Sequence, residues 1–323
     1  MNWRLRLAPE KTNFDFFRYQ WITFGGSMAL MVVAILLWAI VGLNFGIDFR
    51  GGTTIRTEST TPVDVGAYRQ AMSSLDLGDV VITEVFDPTF ADDQHVALIR
   101  IAPLDGIEAV TPETIVAAEA ALVAQDPAIT FAAVESVGPK VSGELVWSAI
   151  LAMVAATVCI LGYIWLRFEW QYAVGAVLAL IHDIFITIGI FALFQIKFDL
   201  SIIAALLAIL GYSINDTVVV FDRLRENLMK YKTMPLREVM NLSVNATLGR
   251  TLMTSVTTLI ALVAMLIFGG DVIRGFAFGI TMGILLGTYS SVFVAKNIVL
   301  IMGLDRSDKP KKDPGGDFAN IDA

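Results

Sequence analysis

Apolar residues along this 323-residue chain gather into six long blocks, at 21–43, 145–166, 172–194, 200–221, 246–268 and 275–295. A helix needs about 20 such residues to cross a bilayer, so the pattern predicts six transmembrane helices. Between the first two blocks, over 44–143, the pattern changes. Residues 53–58, 80–86, 95–101 and 129–137 are rich in β-branched and aromatic positions and predict strands. Residues 63–75 predict a helix, with Thr61 as its cap and Pro62 at its first position, and 111–124 repeats that logic with Thr111 before Pro112. The stretch 87–94 is the turn between the middle strands. The resulting order, strand, helix, strand, strand, helix, strand, suggests a ferredoxin-like βαββαβ unit. The expected fold is therefore a polytopic α-helical membrane protein with one external α+β domain between helices one and two.

Composition agrees with the hydropathy pattern. Hydrophobic residues make up 56% of the chain and charged ones 17%, against about 25% charged in a soluble domain. The first block is too long for a signal-peptide core and is expected to stay as an anchor. Lys and Arg set the orientation. With the N-terminus in the cytoplasm, sixteen of the 23 basic residues lie in inside segments and seven outside. Segment 1–20 and the tail 304–323 are then cytoplasmic, and 44–143 faces the other compartment. The tail is poor in apolar residues and is expected to be disordered. Domain 44–143 holds 15 acids and 5 bases, so nucleic acid is not an expected partner. The loop 222–245 is strongly charged. Its second half, 235–244, sets Leu236, Val239, Met240 and Val244 on one face and reads as an interfacial helix leading into span five.

Several chemistries find no support. Cys159 is the lone thiol, His95 and His182 lie far apart, and no cluster has metal-ligand spacing. No P-loop or dinucleotide-binding glycine loop is present, so ATP hydrolysis, enzymatic activity and a bound cofactor are not expected.

What stands out is polarity inside the spans. Ser213, Asn215 and Asp216 interrupt span four, His182 and Asp183 interrupt span three, and Arg250 lies one turn inside span five. Thr254, Thr257 and Thr258 follow Arg250 on one helix face. A carboxylate at membrane depth costs about 2.5–3.5 kcal/mol on insertion scales, so it is retained with a partner or for ion movement. Two readings stay open. Asp216, Arg250, Asp183, Asn215, His182, Thr254 and Thr257 form a proton-passing track, or they form static pairs that fix helix packing. Gly275, Gly279, Gly283 and Gly287 recur every fourth residue in span six and clear a groove for another helix, in this bundle or in another subunit. Gly51 and Gly52 suit a tight turn into the first external strand.

Six blocks together resemble one family: GIDFRGGT after span one, VGPKVSGEL before span two, IHD in span three, GYSINDTVVVFDRLREN in span four, RTLMTSVTTL in span five and FGGDVIRGFAFGI around the start of span six. In order and topology they are similar to the SecF family of protein-export membrane subunits, within the SecD/SecF branch of the resistance-nodulation-division (RND) superfamily. That resemblance implies a subunit of the bacterial inner membrane, with domain 44–143 periplasmic. It implies pairing with SecD, association with the SecYEG channel, YajC and YidC among the partners, a preprotein substrate, and use of the proton motive force. It implicates Asp216 and Arg250 in proton movement. SecD-type subunits carry their carboxylate one place earlier in this helix, where this chain has Asn215, so the partner is a second candidate for the main proton acceptor. Two other functions compete: a non-conducting scaffold subunit, and half of a proton-driven RND-type exporter.

Overall fold

The computed structural model describes residues 12–75, 77–87, 90–102 and 111–304. Most of the expected tail, the first half of segment 1–20 and part of the turn 87–94 lie outside the described residues. In chain order the elements are α1 (Gln20–Val41), α2 (Ile47–Arg50), β1 (Gly52–Ser59), α3 (Val65–Ser73), β2 (Val80–Val85), β3 (His95–Ile101), α4 (Pro112–Gln125), β4 (Thr130–Val137), α5 (Pro139–Arg167), α6 (Trp170–Phe194), α7 (Leu200–Lys230), α8 (Leu236–Phe268) and α9 (Asp271–Ser290). A π turn (Ser291–Ala295) and α10 (Lys296–Met302) continue the line of α9. The helices α1, α5, α6, α7, α8 and the α9–α10 line are each long and apolar enough to span a membrane.

The helical layer differs from the sequence expectation in its charged parts. Residues 222–230 are helical, not loop, and α7 runs through them. Leu224 and Asn227 are buried on one side, and Arg223 meets Glu226 at 2.7 Å on the other. The amphipathic segment 235–244 is not a separate interfacial helix. It runs unbroken into span five, because no proline follows Pro235 in α8 and a lone Gly249 is tolerated in a long helix. Val239, Met240 and Val244 bury against the bundle.

In the α+β domain the strand order is β2-β3-β1-β4, antiparallel throughout. This is the sheet that a split βαβ unit produces. Ile55, Ile99 and Ile101 on one face meet Tyr68, Met72, Ala118 and Leu122 from α3 and α4. Thr111 caps α4, accepting from the Thr114 N–H. The start of α3 is three residues later than expected. Asp64 caps it by accepting from the Ala67 N–H at 3.0 Å. Thr61 instead donates to Asp126 at 2.8 Å.

Domain and bundle meet at a narrow waist. Gly51 and Gly52 take φ of 73° and 110° where α2 turns into β1. A Cβ on Gly51 would lie 3.3 Å from Pro139, so the chain enters and leaves the domain in contact with itself. Ser142 donates to the Ile47 carbonyl at 3.2 Å. The Leu200 N–H at the start of α7 donates to Asp48 of α2 at 3.0 Å.

Candidate functional site

Helix α6 is the half-buried centre of the bundle, and it carries His182 and Asp183 inward. Asp183 is fully buried. Its Oδ1 lies 3.0 Å from His182 Nδ1, and its Oδ2 accepts from Ser213 at 2.8 Å and from Ser290 at 2.7 Å. Three helices, α6, α7 and α9, thus converge on one carboxylate. A buried charge or polar group without partners is costly, so such convergence is what burial demands.

The glycine stripe of α9 makes the third contact possible. A Cβ on Gly275, Gly279, Gly283 or Gly287 would meet Ile202, Ala205, Ile209 or Ser213 of α7 in turn. The groove therefore serves packing inside this bundle. With Gly287 against Ser213, Ser290 lies one turn further on and reaches Asp183.

Asp216 follows Ser213 by three residues and shares its face of α7. It is 3% exposed. Thr254 of α8 directs its hydroxyl at Asp216 Oδ1 from 3.5 Å, while Oδ2 has no hydrogen-bond partner among the described residues. Arg250 is exposed and, among the described residues, forms no ion pair with Asp216. Its charge reaches the carboxylate only through space. The contact to Asp216 from α8 thus comes from the hydroxyl one turn beyond Arg250.

Two candidates stand apart from the track. Asn215 is exposed on another face of α7, in a groove with Cys159, Tyr163 and Gly211. Thr257 is exposed, and its hydroxyl is taken by the carbonyls of Met253 and Thr254.

The sequence reading missed other polar residues. Ser255 and Thr288 join α8 to α9 at 2.6 Å, and Tyr212 reaches Thr258 at 3.2 Å. The run TYSS at 288–291, inside an apolar span, was the available signal for Thr288 and Ser290. Lys296 is one of the sixteen basic residues of the inside segments. It is 1% exposed, with its ammonium 4.0 Å over the Phe17 ring and donating to the Phe16 carbonyl at 3.3 Å.

This geometry can be set against known proteins. The pattern for "Protein export membrane protein SecD/SecF, C-terminal" matches residues 117–305, and the "SecD/SecF GG Motif" matches 36–63. The chain belongs to the SecD/SecF family. Within that family it is 67% identical to the protein translocase subunit SecF of Cereibacter sphaeroides, over the whole of both chains. It is 63% identical to the SecF of Rhodobacter capsulatus, covering 98% of this chain and 97% of that one. It is also similar to the crystal structure of SecDF, described as a translocon-associated membrane protein, from Thermus thermophilus. There the TM-score is 0.81 and the identity 35%, over 92% of this chain and 39% of that longer one. The stretch matched by the SecD/SecF GG motif, residues 36–63, includes Gly51 and Gly52, the positive-φ turn at the waist.

Proposed function

We propose that this chain is the SecF-type subunit of the Sec protein-export machinery. It joins SecD and associates with SecYEG, YajC and YidC in the bacterial inner membrane, and it uses the proton motive force to help preproteins across. The relatives' names and the match to two fifths of a SecDF chain support the export role and the SecD partnership. Both termini lie in the cytoplasm and the α+β domain in the periplasm, as the Lys and Arg distribution favours. The subunit performs no covalent chemistry of its own.

One observation carries the proton reading: among the described residues, Asp216 is a buried carboxylate with one hydroxyl contact and one oxygen without a hydrogen-bond partner. A satisfied structural carboxylate has no such free oxygen. Its proton state can bias helix packing, since moving one charge across 100 mV is worth about 2.3 kcal/mol. Asp183, by contrast, is fully partnered, which favours a packing role for that residue and keeps the scaffold reading in play.

The Asp216→Asn variant tests this in the assembled complex. Normal assembly with loss of gradient-dependent export supports proton coupling. Export that survives assigns the proton to a SecD carboxylate and leaves Asp216 as packing.

A further inference from the structure

Bases are scarce in the acidic domain 44–143, yet two of them gather at the waist. Arg50 closes α2, Arg100 lies near the end of β3, and both guanidinium groups come to Phe45. Arg100 Nη1 donates to the Phe45 carbonyl at 3.2 Å, and the Arg50 guanidinium stands 6.0 Å from the centre of the Phe45 ring. Among the described residues neither arginine forms an ion pair. Burial, and behind it the charge of Arg50, pull the Arg100 guanidinium below its ordinary value. Two like charges held together without a counter-ion repel each other, and an anion placed between them is attracted by both.

Thr54 stands opposite Arg100 in the β1–β3 ladder, on the sheet face away from the Ile55 core. Its Oγ1 is buried and has no hydrogen-bond partner among the described residues. Buried hydroxyls are normally paired. The nearby acids do not fill the gap. Asp48 accepts from the Leu200 N–H, and Asp199 lies 3.7 Å from Lys197. Glu135, on the other side of Thr54 from Arg100, is exposed and forms no ion pair among the described residues.

The cluster lies where spanning helices begin and end. Phe45 and Gly46 join α1 to α2, and the Gly46 N–H donates to the Phe198 carbonyl in the connection between α6 and α7 at 2.8 Å. Phe45, Phe49 and Phe198 pack as a ring cluster beside the arginines, with centroids 5.8 to 5.9 Å apart. Arginine offers phosphate a planar fork of donors. A cationic pair beside an apolar floor at the membrane surface suits an amphiphile, whereas a soluble anion would use the pair alone. Arg50 is exposed, which leaves the site open. We propose that Arg50, Arg100 and Thr54 bind the phosphate of an anionic phospholipid, drawn from the leaflet on the side of the α+β domain. The site needs only the membrane position of the bundle, and neither export nor proton movement.

The test uses the full chain assembled with SecD in detergent, titrated with phosphatidylglycerol or phosphatidylcholine and read by native mass spectrometry. The parent complex is expected to hold phosphatidylglycerol in preference to phosphatidylcholine. Arg50→Gln with Arg100→Gln should weaken that binding about tenfold or more, since each lost charged hydrogen bond counts. Arg50→Lys with Arg100→Lys should keep part of it, and Thr54→Val should weaken it. Arg69→Gln removes a charge elsewhere in the domain and should leave it unchanged. Arg50→Gln alone, at an exposed side chain, keeps the test readable if the double variant fails to assemble. Undiminished lipid binding in the glutamine variants overturns the proposal, and so does an equal loss in Arg69→Gln, which marks a diffuse charge effect. Displacement of the lipid by inorganic phosphate in excess gives the site to a free anion and overturns it. Lipid held by the chain alone but absent once SecD has joined gives the arginines to an acid of SecD and overturns it as well.

Discussion

Ser290 and Asp183 are 107 residues apart in sequence and meet at 2.7 Å where α6, α7 and α9 converge. Removing the hydroxyl leaves a buried carboxylate oxygen with one donor fewer, at a cost of about 1–3 kcal/mol. Ser290→Ala is expected to lower the melting temperature of the detergent-solubilised protein. Ser213→Ala is expected to do the same, and the double variant should depart from additivity because both hydroxyls serve one oxygen. Additive single effects would show that the two serines act separately.

Gly283 offers a sharper test of the packing. A Cβ there would collide with Ile209 Cγ1, whereas at Gly279 the nearest atom is at 3.3 Å. Gly283→Ala is therefore expected to destabilise by about 1–3 kcal/mol, and Gly279→Ala by clearly less. Adding Ile209→Ala to Gly283→Ala should recover much of the loss. Thermal unfolding of the three variants checks the order.

Asp126 staples the α+β domain. Its Oδ2 accepts from Ser59, Thr61 and Tyr68, and its Oδ1 from the Ala128 N–H. Burial alone would raise this carboxyl, but those four donors outweigh it and hold the group below the usual carboxylate range. Burial and the same carboxylate push the Tyr68 hydroxyl well above its ordinary value. A depressed folded-state value means the stabilisation is present above the unfolded value, about 3.9, and is lost as pH falls through the folded one. Hydrogen-exchange protection of β1 and α4 should thus fall away below about pH 4. Asp126→Ala should lower that protection at neutral pH by about 2–3 kcal/mol and remove the acid step.

Lys296 pins the segment before α1. Its ammonium sits over the rings of Phe16, Phe17 and Phe293, and such contacts are worth about 2 kcal/mol when desolvated. Asn241 and Asn245 of α8 hold the same segment through the backbone of Phe14 and Phe16. Lys296→Met keeps the volume and removes the charge. It is expected to speed exchange of the Phe16 and Phe17 amides while leaving α6 protected. Unchanged exchange would mean that the α8 asparagines suffice.

Much of the fold follows from local pattern. A bilayer demands about 20 apolar residues per helix, which makes the number of spans readable from composition alone. Two helical segments among four β-rich segments lead to the antiparallel βαββαβ sheet, because short connections leave few ways to cover one face. The four glycines of span six announce a close helix contact by spacing alone.

The tertiary structure decided what those contacts are. Asn215 and Asp216 are neighbours in sequence, yet α-helical geometry turns them about 100° apart, and packing alone put the acid inside and the amide outside. Spacing could not say that the glycines of α9 face α7, nor that Ser290 would reach Asp183 as a result. Charge pattern set Arg250 and Asp216 in one polar track and read 222–230 as loop. The structure instead gave Thr254 to Asp216 and extended α7 through the charges. Long side chains reach solvent from a helix surface, so charge marks neither the end of a helix nor its partner. Local pattern thus determined which elements form, whereas the facing of each polar residue required the neighbouring helix to be in place.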